Sequence, residues 1–310
     1  MKIVYMGTPD FAVAPLKALY EAGHEISLVV TQPDKPKGRG HKLTPPPVKE
    51  FALLKDIPVY QPDSMKTDDA FEMLSKENAD IFIVAAYGKI LPQRILDIPK
   101  HGCVNIHASL LPKYRGAAPI QWVIVNGETV TGITTMQMNA GLDTGDMLVK
   151  KEVEIDFSDT GETLHDKLSV AGADAIMETM SQIESGTLSP EKQDDSLSCY
   201  APMIDKTTGV LDFNKSPLEL YNLVRAMNSY PYASSLYLGV PFKVISAEPI
   251  EDKKEGKNGE VLEVSPKGIL VKCDGGALLV KEVQFAGKKK MPVSEFIKGN
   301  TLDEGVVLGE

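Results

Sequence analysis

The chain alternates between two kinds of segment. Continuous apolar runs, "KIVYM" (2–6), "EISLVV" (25–30) and "DIFIVAAYG" (80–88), read as strands, the last buried on both faces of a parallel sheet. Between them lie stretches with helical spacing over 11–22, 48–55 and 68–78, with a short strand at 59–60. Gly7 and Thr8-Pro9 follow the first strand, which predicts an N-cap with proline at the first helical position. Further on come "CVNIHA" (103–108), a helix over 119–127 and strands over 132–138 and 147–155. Strand alternating with helix predicts a doubly wound, mainly parallel, Rossmann-like α/β sheet.

Three departures from this alternation divide the chain. "TQPDKPKGRGHKLTPPP" (31–47) has no period and many breakers, and reads as a loop. Leu164, Leu168, Ala171, Ala175 and Met180 place one apolar face on a helix over 161–184. The polar stretch "ESGTLSPEKQDDSLS" then reads as a linker. Past Met203, Ser216-Pro217 with Glu219 three residues on is a capping-box signature. Short β-like runs punctuated by glycine follow, which predicts a small antiparallel barrel. The expected organisation is an α/β domain over 1–189, a linker over 190–206 and a β domain over 207–310.

Composition adds bounds. At 310 residues, 43% hydrophobic and 25% charged, the chain is an ordinary globular protein of two-domain size. No apolar run is long enough to span a membrane, and "MKIVYMGTPDF" has no signal-peptide pattern. Cys103, Cys199 and Cys273 are too scattered for a disulfide framework, so a cytoplasmic setting is expected. The net charge of −10 argues at first against nucleic acid. Residues 150–206, however, hold 13 acidic side chains against 5 basic ones, so the excess is local. Basic patches elsewhere are compatible with it.

The turn "MGTPDF" lacks the GxGxxG of a dinucleotide site, and no phosphate loop is present. The five histidines have no metal-ligand spacing, so a metal-free site is expected. Candidate chemistry centres on Asn105 and His107, two apart at a strand end and therefore on one face. Ligands of open α/β sheets bind at the carboxyl ends of strands. A carboxamide and an imidazole aimed at one point can stabilise an oxyanion in acyl transfer. Asp143 and Asp146, on the Gly-flanked loop "NAGLDTGDML", could supply the carboxylate that orients the histidine. A solvated strand end is the plain alternative, and spacing alone leaves both open.

"MGTPDFA", "AAYGKILP", "NIHASLLPKYRGAAPIQ" and "MQMNAGLDTGDML" occur in order across residues 1–185. Together they resemble the formyltetrahydrofolate-dependent formyltransferases. The resemblance implies a catalytic triad of Asn105, His107 and Asp143, and Asp146 then reads as a support of the loop rather than part of the chemistry. It implies a folate site at Ser109, Leu110, Leu111 and Pro112, and a pterin pocket around Tyr87, Gly88, Ile90 and Leu91. The co-substrate implied is 10-formyltetrahydrofolate, without a metal. The acceptor implied is the α-amine of methionine on charged initiator tRNA. Lys35, Lys37, Arg39 and Lys42 would meet its acceptor end, with Arg39 matching the family's arginine there. An OB-like C-terminal domain is implied as well, where Lys288, Lys289 and Lys290 could meet phosphates. Rival readings are formyl transfer to a small amine (glycinamide ribonucleotide or a nucleotide amino-sugar), hydrolysis on the same fold, and a non-catalytic RNA-binding protein. No obligate protein partner is expected.

Overall fold

The first strand, β1 (Lys2–Gly7), is buried from Ile3 to Met6. Thr8 does not cap the helix after it. Its hydroxyl donates to the carbonyl of Tyr87 at 3.1 Å, and a 3-10 turn over Asp10–Ala12 leads into α1 (Val13–Glu21). A long-range hydrogen bond has captured the side chain that the local pattern assigned to the cap. The computed structural model describes residues 1–37, 42–251 and 254–309.

After β2 (Glu25–Val30), the segment expected to be a plain loop contains two short paired strands, β3 (Lys35–Lys37) and β4 (Lys42–Thr44). Their proline and lysine content hides the period-two pattern of a strand. Next come α2 (Pro47–Leu54), β5 (Val59–Tyr60) and α3 (Asp68–Lys76), whose cap Thr67 accepts from the Ala70 amide at 3.3 Å. All five residues of β6 (Ile81–Ala85) are buried, as its unbroken apolar run predicts. The chain continues through α4 (Gln93–Leu96), β7 (Cys103–His107), β8 (Arg115–Gly116), α5 (Pro119–Val125), β9 (Val130–Gln137), β10 (Met147–Glu154) and α6 (Gly161–Ser185).

Seven strands form one sheet in the order β10-β9-β7-β6-β1-β2-β5. From β7 to β5 all neighbours are parallel, while β9 runs antiparallel to β7 and β10 to β9. The mainly parallel, doubly wound sheet expected from the sequence is present. On α6, Leu164, Leu168, Ala175 and Met180 are buried and Ala171 is half-buried, so the apolar face is the expected one.

The polar stretch after α6 is not a free linker. Glu191 exchanges two backbone hydrogen bonds of 2.8 Å with Met147, and β11 (Tyr200–Ala201) pairs in parallel with β8. Backbone groups do this holding, and hydropathy does not register them. Two compact units result, and they interleave along the chain. One comprises Met1–Gly116, Val130–Glu154 and His165–Ala201; the other comprises Ala117–Thr129, Ile155–Leu164 and Pro202–Glu310.

In the second unit α7 (Pro217–Ala226) packs against α5. The buried Arg225 donates from Nε to Asn222 Oδ1 (2.9 Å) and from Nη1 to the Asp159 carbonyl (2.9 Å), tying the 155–164 segment to the same helix. The strands are β12 (Ala233–Tyr237), β13 (Val240–Ile250), β14 (Val261–Ser265), β15 (Gly268–Cys273), β16 (Gly276–Phe285) and β17 (Met291–Pro292), followed by α8 (Val293–Phe296). They form one antiparallel sheet, β12-β13-β16-β15-β14, with β17 also on β16. Its core includes Phe213, Leu220, Val224, Phe242, Val271 and Val283.

The capping box is present. Ser216 Oγ accepts from the Glu219 amide at 3.3 Å, and the Ser216 amide donates back to Glu219 Oε2 at 3.0 Å. Ser216→Ala should lower stability by about 1 kcal/mol in urea unfolding. The Ser216 amide and hydroxyl hold the Glu219 carboxyl below its ordinary range. That contribution is present above the ordinary glutamate range and fades as pH falls through the lowered value. The wild-type and Ser216→Ala unfolding midpoints should therefore approach each other in acid.

Candidate active site

β7 lies between β6 and β9, with Asn105 opposite Val84 and Met136 and His107 opposite Thr134. Ile106, on the other face, is in the core. The period of two thus sends Asn105 and His107 to one side, at the end of the sheet where the parallel strands finish. Asn105 is half-buried, and among the described residues its carboxamide has no hydrogen-bond partner, so its donors are available.

His107 is held tightly. It is 5% exposed, and Nε2 lies 3.0 Å from the carbonyl oxygen of Tyr114. A carbonyl can only accept, so Nε2 carries a proton and donates. That leaves Nδ1, which lies 3.7 Å from Asp143 Oδ2. This is ion-pair range but too long for a direct hydrogen bond. Nδ1 and the carboxylate therefore face each other without a direct hydrogen bond.

Asp143 belongs to the connection between β9 and β10. Asn139 Oδ1 gathers that loop by accepting from the Gly141 amide and the Thr144 hydroxyl, both at 2.9 Å. The Gln137 amide donates to the carbonyl of Asp146 at 2.9 Å, so Asp146 supports the loop through its backbone. Gly145 passes so close to the Gln137 carbonyl that a Cβ there would overlap it. Asp143 itself takes a left-handed conformation, φ +52°, and its Oδ2 accepts from the Gly116 amide at 2.9 Å. Gly116 has φ +117°, and a Cβ there would lie 2.7 Å from the Ala201 carbonyl. The carboxylate is thus fixed by a glycine amide that no other residue could present without strain.

The turn after β7 is fastened by Thr134 of β9. Its hydroxyl donates to the Ser109 carbonyl (2.7 Å) and accepts from the Leu111 amide (3.0 Å). Ser109 is fully buried, and its own hydroxyl donates to the Lys113 carbonyl at 2.6 Å. Leu111 packs with Met136 and Met147. The "SLLP" turn is therefore a built feature directly beside Asn105 and His107. Thr134 was not singled out from the sequence, although a Thr-Thr pair inside the apolar run "GITTMQM" was the available signal. The Tyr114 carbonyl had none, because a backbone group leaves no trace in residue type.

The other predicted folate residues follow β6, the neighbour of β7. The side chains of Tyr87 and Leu91 are in the core, and the Tyr87 hydroxyl lies 3.2 Å from Met65 Sδ. The Tyr87 carbonyl already accepts from Thr8 and from Gln32 Nε2. Gly88 has φ +81°, and Ile90 is 80% exposed. The outward-facing part of this stretch is Ile90 with the backbone around it.

Of the basic candidates, Lys35 is exposed on β3. Arg39, with the side chains of Lys37 and Lys42, lies outside the described residues. Lys289 and Lys290 are exposed in the second unit; Lys288 bonds to Asn300 Oδ1 and lies over the Phe296 ring. Among the described residues no group of three or more potential metal-ligating side chains occurs.

Comparison with known proteins bears on the whole chain. Residues 1–180 match the family model described as formyl transferase, and residues 203–301 match its C-terminal domain model. A methionyl-tRNA formyltransferase of Geobacter sulfurreducens is 49% identical over 310 residues, covering 100% of this chain and 97% of the relative. One from Clostridioides difficile is 49% identical over 309 residues, covering 100% of both. Among solved structures, the sugar 3N-formyl transferase WlaRD superposes with a TM-score of 0.68 at 22% identity, over 93% of this chain and 99% of that one. HypX from Aquifex aeolicus, solved with tetrahydrofolic acid, gives 0.66 at 19% identity over 98% of this chain and 50% of its own. These two share the fold. With both family models matched in order and near-half identity along its full length, the chain belongs to the formyl transferase family and, within it, to the methionyl-tRNA formyltransferases.

Proposed function

We propose that this chain transfers the formyl group of 10-formyltetrahydrofolate to the α-amine of methionine esterified to initiator tRNA, giving formylmethionyl-tRNA for translation initiation. One observation carries the assignment of the chemistry to β7. An unpartnered carboxamide stands beside an imidazole that is held between a carbonyl and a carboxylate, at the strand end where ligands of such sheets bind.

The attacking nitrogen forms a bond to the formyl carbon, and the formyl oxygen takes up negative charge. Asn105 Nδ2 donates to that oxygen, and so does His107 from Nδ1, the ring nitrogen that Tyr114 leaves open. Donors fixed in advance cost no reorganisation when the charge develops. The nitrogen must lose a proton, and the departing folate nitrogen must gain one as its bond to the formyl carbon breaks. The His107–Asp143 pair is the relay between them. A free α-amine titrates near ~8, and the ester lowers that, so neutral amine is available near neutral pH.

Ile90 and the backbone around Gly88 receive the folate, with the Ser109–Pro112 turn one strand over. Tyr87, Leu91 and Leu111 support that surface from the core. The segment bearing Lys35, Lys37, Arg39 and Lys42 meets the acceptor end of the tRNA, and the domain after the 190–206 segment meets its phosphates through Lys288–Lys290. Such contacts make tRNA affinity fall with rising salt. No helix among the described residues is long and apolar enough to cross a membrane, and a cytoplasmic location suits the substrate.

The test offers labelled formyl donor with charged initiator tRNA, charged elongator tRNA and small amines in parallel. Transfer to charged initiator tRNA is expected. Exclusive transfer to a small amine would overturn the assignment.

A further inference from the structure

The segment expected to be a linker reaches both groups that hold His107. Gln193 stands at its centre. Its Nε2 donates to the carbonyl of Asp143 (2.8 Å) and to that of Gly145 (2.7 Å). Its Oε1 accepts from Arg115 Nε (3.0 Å) and Nη2 (2.7 Å). Arg115 directly precedes Gly116, whose amide binds the Asp143 carboxylate. One carboxamide therefore joins the backbone of the aspartate loop to the residue next to the amide that fixes the aspartate side chain. On the other side, Cys199 of the same segment accepts from the Tyr114 amide through Sγ (3.2 Å) and from the Arg115 amide through its carbonyl (2.9 Å). Tyr114 supplies the carbonyl that binds His107 Nε2.

We infer that Gln193 is a positioning residue for formyl transfer: by binding the Asp143 and Gly145 carbonyls while held by Arg115, it sets the distance between the Asp143 carboxylate and His107 Nδ1. The inference rests on the function proposed above. Asp143 adopts a left-handed backbone on a Gly-rich loop, so its side-chain direction is not fixed by regular secondary structure. The two carbonyl bonds at 143 and 145 bracket that backbone, and only a side chain with both donors and an acceptor can make them together with the Arg115 contact. Glutamine has this set; leucine has neither part, and glutamate keeps the acceptor for Arg115 but has no donor for the carbonyls.

The test compares Gln193→Leu and Gln193→Glu with wild type in single-turnover formyl transfer to charged initiator tRNA, alone and combined with Asp143→Asn. Misplacing a reacting group by about 1 Å can cost about 10²-fold. Both single variants are expected to slow the chemical step by about 10- to 100-fold, with folate affinity within about 2-fold of wild type. Added to Asp143→Asn, either should slow the reaction by no more than about 2-fold further, because the group it positions is already gone. A full multiplicative loss in the double variants would overturn the inference in favour of a general structural tether, as would wild-type turnover in both single variants. His107→Ala is assayed alongside. If wild type fails to transfer formyl, or His107→Ala transfers it normally, the proposed function fails rather than the role of Gln193.

Discussion

His107→Ala should lose formyl transfer by at least about 10²–10³-fold, the usual consequence of removing one donor to a developing oxyanion. The loss is expected at the upper end or beyond, since in the proposed mechanism Nδ1 donates to the oxyanion and also lies within ion-pair range of the Asp143 carboxylate. The ring is nearly buried, so truncation also removes the His107 hydrogen bond to the Tyr114 carbonyl. A lost buried hydrogen bond costs about 0.5–1.5 kcal/mol, a moderate fall in stability that an unfolding curve will register. The kinetic and structural effects separate in single-turnover assays at a temperature where both proteins are folded. A folded His107→Ala with near wild-type turnover would remove this residue from the mechanism.

Asp143→Asn should slow transfer by about 10²–10³-fold with almost no change in stability. The substitution suits the site. Asparagine tolerates the left-handed backbone at this position, and its Oδ1 can still accept from the Gly116 amide. The loop, the glycine contacts and the Gln193 bonds all persist. What disappears is the negative charge beside Nδ1 and the capacity to take a proton. The loss thus reports chemistry rather than folding, and it should appear in the single-turnover rate with the KM for folate unchanged. Equal losses of rate and thermal stability would point instead to a loop that depends on the carboxylate for its shape.

How much of this was legible depends on the kind of signal each feature leaves. The parallel sheet was readable because β6 is apolar throughout and the helices keep their spacing. Asn105 and His107 were readable as neighbours because a strand has a period of two. The loop "NAGLDTGDML" offers both Asp143 and Asp146, and the choice of Asp143 rests on the family resemblance; the structure brings it to His107 across thirty-six positions of sequence. Thr8 was misplaced because a tertiary bond to Tyr87 outweighs a local cap. Tyr87 and Leu91 read as pocket residues, yet their side chains are core, since an apolar residue after a strand can face either way. The 190–206 stretch looked like a linker on composition. Its role is carried by Gln193 and by backbone carbonyls, whose partners lie about fifty to eighty residues away. Polar contacts over such separations have no period, and no local rule finds them.

The central claim is that the end of β7 is where the formyl group is transferred. A crystal structure of the protein with a formylfolate analogue that cannot release its formyl group tests it most directly. The formyl oxygen should lie about 2.7–3.1 Å from Asn105 Nδ2, with the formyl carbon at the Nδ1 edge of His107 and the pterin against Ile90. An analogue seated with its formyl group out of reach of Asn105 and His107, for instance in the cleft lined by Lys49, Leu53 and Gln61, would contradict the account.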